Sequence, residues 1–233
     1  KPGHTGLLMV PREDMLEAAP LLDAQNFQIH IHAIGDATVR YGLDALEAAR
    51  DSNGVRDSRH LTAHTQIVNP LDMGRFAQLD VIAGFSPLWF GADEYIMEIN
   101  PPQVGAERMQ QMYPIKSILN SGGRVAFGSD WYVTSPDPLL GIEAAVTRIE
   151  DGGDTHPVFI PAERISLIEA IAGYTSGAAY ANFLDQETGT LEVGKYADLV
   201  ILDKNLFDLP ASDISSATVT ATLLEGELVH GEL

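Results

Sequence analysis

Arg124-Val-Ala-Phe-Gly-Ser-Asp130 is the stretch that decides the fold. Residues with the character of a buried strand run into a glycine, and an aspartate stands at the tip. Residues 137–149 then carry the pattern of a helix. An acid at the C-terminal end of a strand that feeds a helix sits where α/β barrels keep their chemistry. Two upstream runs end in a similar way. Phe27-Gln-Ile-His-Ile-His32-Ala33 closes on histidine, and Arg59-His-Leu-Thr-Ala-His64 does the same. Parallel strands bring their C-terminal tips side by side, so His32, His64 and Asp130 become candidate ligands of one divalent metal, with zinc suited to imidazole and carboxylate donors. Each has a plainer reading alone. A strand histidine is often a hydrogen-bonded core residue, and Gly128-Ser-Asp130 is often only a turn. The joint pattern at strand ends favours the metal.

Outward from these tips the pattern alternates. Helices are expected over 12–24, 37–50, 69–79, 114–121 and 166–183, and strands over 27–33, 61–68 and 81–86. Asp36 is the expected cap of the second helix and Asn69 of the third, with Pro70 in its first turn. Ser166-Leu-Ile-Glu169 matches a capping box. Residues 151–157 read as a polar surface connection. The repeated strand–helix order before residue 150 argues for parallel βαβ units, a half-barrel or an open sheet. From Gly189 the character changes to turn and strand. Residues 219–224 and 227–230 form a hairpin about Glu225-Gly226.

Other residues are placed against this frame. Period two puts His30 on the face of His32, one layer deeper, as a supporting or core group. His60 lies two layers below His64 and reads as structural. The long connection 88–113 has the length of a lid or binding loop and holds Trp89, Phe90 and Arg108. Trp89 and Arg108 are candidate substrate contacts. Arg108 alternatively pairs with one of the many acids.

Composition narrows the classes. The 233 residues carry 33 acidic and 14 basic side chains, a formal charge of −19. Phosphate-backbone binding needs clustered Lys and Arg, so nucleic acid and anionic membranes are not expected partners. There is no cysteine, which excludes disulfides and thiolate metal sites. No apolar run reaches the ~18 residues of a membrane span. A cytoplasmic location is expected. The chain begins Lys1-Pro2-Gly3-His4 and not with Met, so export stays open.

Four motifs taken together resemble the amidohydrolase superfamily. They are His32-Ala-Ile-Gly-Asp36, His64-Thr-Gln66, Gly128-Ser-Asp-Trp131 and Gly189-Thr-Leu-Glu-Val-Gly-Lys-Tyr-Ala-Asp-Leu-Val-Ile-Leu-Asp203. More narrowly they are similar to the YtcJ-like, amidohydrolase-3 branch that includes N-substituted formamide deformylases. The resemblance implies an α/β fold: the C-terminal half of a metal-dependent (β/α)8 TIM-like barrel with part of a small β-sandwich. It divides the chain into a barrel portion, 1–185, holding strands five to eight, and a sandwich portion, 186–233. It implies His32 and His64 as metal ligands and Asp130 as ligand and general base. The activity it implies is hydrolysis of a non-peptide, amide-like carbon–nitrogen bond in a small-molecule substrate.

Two departures accompany it. The strand-one His-x-His pair and the strand-four lysine region have no counterpart. About 100 residues separate His32 from Asp130, too few for six further βα units. The expectation is a C-terminal portion of a longer protein, completed by the other half of the barrel or by self-association. The rival expectation is a non-catalytic fragment or scaffold. In addition, Ala63 stands where relatives commonly carry Glu, which alters the support of His64.

Overall fold

The computed structural model describes residues 6–149 and 157–232. His4, His156 and most of the 151–157 connection lie outside them. Two compact units divide the chain, one of residues 1–85 and 93–126, the other of 86–92 and 127–233.

In the first unit, α1 (Arg12–Ala24) precedes β1 (His30–Ala33), α2 (Asp36–Asn53), β2 (Leu61–His64), α3 (Met73–Leu79) and β3 (Ile82–Phe85). β1 and β2 pair in parallel, His32 opposite Ala63 and Ala33 opposite His64; β2 and β3 are also parallel. β4 (Arg124–Phe127) joins beyond β3, giving the order β1-β2-β3-β4. Helix α2 buries Val39, Leu43 and Leu46, the face its sequence periodicity marks, each contributing roughly 1.5–3 kcal/mol. Gly42 on that face leaves room for Ile31; a Cβ there would lie 3.3 Å from Cδ1 of Ile31. With Ile31 turned to the helix, strand alternation leaves His30 and His32 on the opposite face. Ala19 of α1 packs with Ala45 and Ala49 of α2, with Met15 and Ile29 against them.

Several expected boundaries move. Asp36 is the first residue of α2 and Gly35 is its cap, without a side-chain hydrogen bond. Asn69 does not start α3. Its Oδ1 accepts from the Leu71 amide in a turn, and the helix begins four residues later. β2 stops at His64, because His64 and Thr65 take φ of 65° and 45°, which no strand continues. Ile67 then makes an isolated antiparallel bridge to Met112. The 88–113 connection is largely helical. It holds a 3-10 turn (Pro87–Phe90), a π-turn (Tyr95–Ile99), α4 (Pro101–Val104) and α5 (Ala106–Met109), and α6 (Ile115–Asn120) follows it.

In the second unit, Asp137 caps α7 (Pro138–Thr147) by accepting from the Leu139 amide. The Ser166–Glu169 capping box is present at α8 (Leu167–Ala172). The single long helix expected over 166–183 is instead α8, a π-turn (Gly173–Gly177) and α9 (Ala178–Ala181). At Gly173 a Cβ would fall 2.4 Å from the Phe127 ring, so glycine lets the two meet. β5 (Leu199–Leu202), β6 (Val219–Leu224) and β7 (Glu227–Gly231) form an antiparallel sheet in that order. Its hairpin turns at Glu225 and Gly226, both at positive φ, as a two-residue turn of this hand requires. Lys195 of the glycine-rich motif holds that loop, with Nζ donating to the Asp185 carbonyl and the Thr190 hydroxyl, each at 2.6 Å. No helix among the described residues is long and apolar enough to cross a membrane.

Candidate active site

The first unit brings His32 and His64 together. Their ring centroids are 4.5 Å apart and the rings are inclined by 71°. The register alone does not make the pair: it sets His32 opposite Ala63 and His64, the last residue of β2, opposite Ala33, which in regular strands are opposite faces. The left-handed backbone at His64 and Thr65 turns the chain just there, with the Thr65 amide donating to the Ala63 carbonyl at 2.8 Å. Beneath the turn, the hydroxyls of Thr62 and Thr65 share a hydrogen bond of 2.7 Å in the interior. Non-glycine residues at positive φ cost energy and are concentrated at functional sites. His64 is buried and His32 exposed.

His30 keeps an exposed surface but its pKa lies below the usual histidine range, first through partial desolvation and next through His32. His60 belongs to the other end of β2. Its Nδ1 accepts from the Ile29 amide at 3.0 Å, so Nε2 carries the proton and donates to Oδ1 of Asp23 at 2.9 Å. Burial lowers its pKa more than Asp23 raises it. The structural reading of His60 holds.

Asp130 lies in the second unit, exposed, with φ of 56°. Its carbonyl accepts from the Val133 amide at 2.8 Å, and the Trp131 amide donates to Oγ of Ser129. Neither bond uses the Asp130 carboxylate, and the residue is exposed. Trp131 and Tyr132 follow, 70% and 86% exposed. Trp89 is partly buried in the 3-10 turn after β3. Its neighbour Phe90 is wholly buried, with the Arg148 guanidinium 4.8 Å from its ring centroid. Arg108 approaches Asp36 at 3.7 Å and donates from Nε to the Val104 carbonyl. That contact ties the 93–109 segment to the start of α2.

Among the described residues no group of three His, Cys, Asp or Glu assembles. The two imidazoles do fit a metal as donors. They stand on neighbouring parallel strand ends with ring centroids 4.5 Å apart, and neutral imidazole is a donor that divalent zinc accepts.

Two elements escaped sequence reasoning. Asp23 sits unremarked in the last turn of α1, yet it receives Asn53 Nδ2 at 2.7 Å, Arg56 Nε at 3.0 Å, Ser58 Oγ at 3.0 Å and His60. Its spacing from these partners offers no local signal. Glu143 is buried in α7, where its Oε2 accepts from the Ser215 amide at 2.7 Å.

Comparison with known proteins gives a consistent family. The amidohydrolase family profile matches residues 2–230. Protein LONG AFTER FAR-RED 3 of Arabidopsis thaliana is 37% identical over 232 residues, 98% of this chain and 38% of the relative. N-substituted formamide deformylase of Arthrobacter pascens is 26% identical over 226 residues, 97% of this chain and 40% of that enzyme. The chain thus spans about two fifths of the length of the curated relatives it matches. An uncharacterized metal-dependent hydrolase from Pyrococcus furiosus has a similar structure. Its TM-score is 0.68 at 28% identity, over 84% of this chain and 37% of that one.

Proposed function

This chain belongs to the amidohydrolase family, and from that premise we propose that it serves a metal-dependent hydrolase of non-peptide, amide-like carbon–nitrogen bonds. The four-stranded sheet β1-β2-β3-β4 with its helices, and the separate antiparallel sheet β5-β6-β7, support that fold reading. We divide the chain for function at residue 185, with barrel strands before it and a sandwich portion, 186–233, after it. The observation that carries the reading is the His32–His64 ring pair at two neighbouring parallel strand tips.

His32 and His64 would hold the metal as neutral imidazoles. When bound there, a divalent ion, zinc by the donor set, supplies acidity to water and polarises a carbonyl. Asp130 is the group for proton movement. Its carboxylate takes a proton from the attacking water and returns it to the departing amine nitrogen. Its place in a turn at a strand end, with the backbone alone tied down, leaves the side chain for that task. Trp89 and Arg108 are each proposed as substrate contacts in this reading; Arg108 fixes its own segment to Asp36. The substrate is a small molecule, such as an N-substituted formamide, the class named for the Arthrobacter relative. The test is hydrolysis of an N-substituted formamide by the protein and by Asp130→Asn. A general base contributes about 10²–10⁴-fold, so kcat falls by that much. An unchanged kcat would exclude Asp130 as the base.

A second reading has its own observation. β1 and β4 end the four-stranded sheet, each with one neighbour among the described residues. Open edges invite pairing with another strand. A non-catalytic role as a scaffold completed by another segment, or by a second copy, follows from that. A monodisperse, cooperatively melting monomer would contradict it.

A further inference from the structure

A cavity of ≈ 190 Å³ opens at the end of the parallel strands opposite to His32 and His64. Its walls include Arg50 in the last turn of α2, Arg56, Ser58 and Arg59 in the connection to β2, and Asp80 after α3. β2 and β3 are the inner strands of the sheet, so the walls come from this chain's own elements and not from the sheet edges. His60 in the same wall directly precedes β2, and His64 closes that strand four residues later, about 13 Å away at strand rise. The cavity is therefore separate from the histidine pair.

Its charge is unusual for this chain. Acidic residues outnumber basic ones 33 to 14 overall, yet three guanidinium groups and two carboxylates line this space. Both carboxylates are engaged. Asp23 receives donors from Asn53, Arg56, Ser58 and His60, and Asp80 takes Arg124 Nε at 3.1 Å. Arg59 is answered by Asp57 on the exposed side at 2.9 Å. Arg50 is different. Its hydrogen bond runs from Nη1 to the Gln78 carbonyl at the end of α3, and among the described residues no carboxylate meets it. A guanidinium carries five N–H donors in a planar fork, so most of those on Arg50 remain for another acceptor. His60 adds no charge, because its Nδ1 is an acceptor.

We propose that this cavity is a binding site for a small phosphate-class oxyanion, with Arg50 as its principal ligand. The guanidinium fork matches two oxygens of a phosphate, and because Asp23 and Asp57 answer Arg56 and Arg59, the charge that an oxyanion would meet here is that of Arg50. The Ser58 hydroxyl, already donating to Asp23, still accepts from a protonated phosphate oxygen.

The experiment is calorimetric titration of the protein with inorganic phosphate, with ionic strength held constant by sodium chloride. Saturable binding is expected. Arg50→Met weakens it by at least about tenfold, and Arg50→Lys, which keeps the charge and loses the fork, weakens it less. Arg12→Met removes a positive charge from the exposed pair with Asp44 and leaves the affinity unchanged. Glycerol phosphate in a parallel titration distinguishes a phosphate monoester from free phosphate as the better occupant. Circular dichroism confirms that each variant is folded; should Arg50→Met fail to fold, Arg50→Lys against Arg12→Met decides. Heats without saturation overturn the proposal. So does equal weakening by the Arg50 and Arg12 variants, which means net charge alone. Unweakened binding in Arg50→Met shows that Arg50 only caps α3.

Discussion

Nε2 of His60 donates to Oδ1 of Asp23 across 2.9 Å, in the interior where β2 begins and α1 ends. Burial by itself pushes the Asp23 carboxyl up. The hydrogen bonds from Asn53, Arg56, Ser58 and His60 together outweigh it and bring the pKa down to about 2. The same imidazole accepts from the Ile29 amide, so it fastens the beginning of β1 to that of β2. The register that sets His32 beside Ala63 is thus secured from below.

Asp23→Ala would leave the Arg56 guanidinium and the His60 N–H facing an apolar methyl in the interior. Removing one partner of a buried ion pair costs roughly 3–5 kcal/mol. Urea unfolding should show a loss of that size. A loss no larger than that of a surface substitution would mean that the network is not structural.

The histidine shifts set a pH dependence. His60 and His30 are both lowered from 6.5 in the folded protein, His60 chiefly by burial and His30, which keeps an exposed surface, by partial desolvation. Below pH 6.5 the unfolded chain therefore binds more protons than the folded one, and stability falls as pH falls from 6.5 toward the folded pKa values. Above 6.5 neither contributes a slope. Asp23 adds a second loss in the same direction, between its ordinary 3.8 and about 2. Denaturant melts from pH 8 to pH 5 should be flat at first and then decline, and His60→Gln should flatten the decline. An undiminished decline in that variant removes His60 from the account.

Gly84 sits in β3 against the β2 backbone. A Cβ there would lie 2.7 Å from the Thr62 carbonyl oxygen and 3.7 Å from Cα of Ala63. Main chain of a paired strand cannot swing aside, so Gly84→Ala must part the strands beneath the Thr62–Thr65 hydroxyl pair. Overpacking of this kind costs about 1–3 kcal/mol. The thermal midpoint should drop accordingly; an unchanged midpoint would show that the strands adjust freely.

The alternation of strands and helices was legible because each element carries its own period. The apolar stripe of α2 at Val39, Leu43 and Leu46 is an example. His32 and His64 were legible as strand tips for the same reason. The end of β2 was not, since propensity extends the run through Val68 while the chain turns left-handed at His64 and Thr65, where the Thr62 and Thr65 hydroxyls bond in the interior. Nor was Asp23, whose partners at 53, 56, 58 and 60 lie on other elements. The π-turn at Gly173–Gly177 follows from the close approach of the Phe127 ring, a tertiary contact that local pattern does not contain.

The most direct test of the central claim is metal content per chain after purification with added zinc, for the protein beside His32→Ala and His64→Ala. The account predicts bound metal in the protein and its loss in both folded variants, because each removes one of the two imidazoles that stand 4.5 Å apart. Metal retained at the same stoichiometry in both variants would contradict it, and the histidine pair would then be a packing contact of two strand ends.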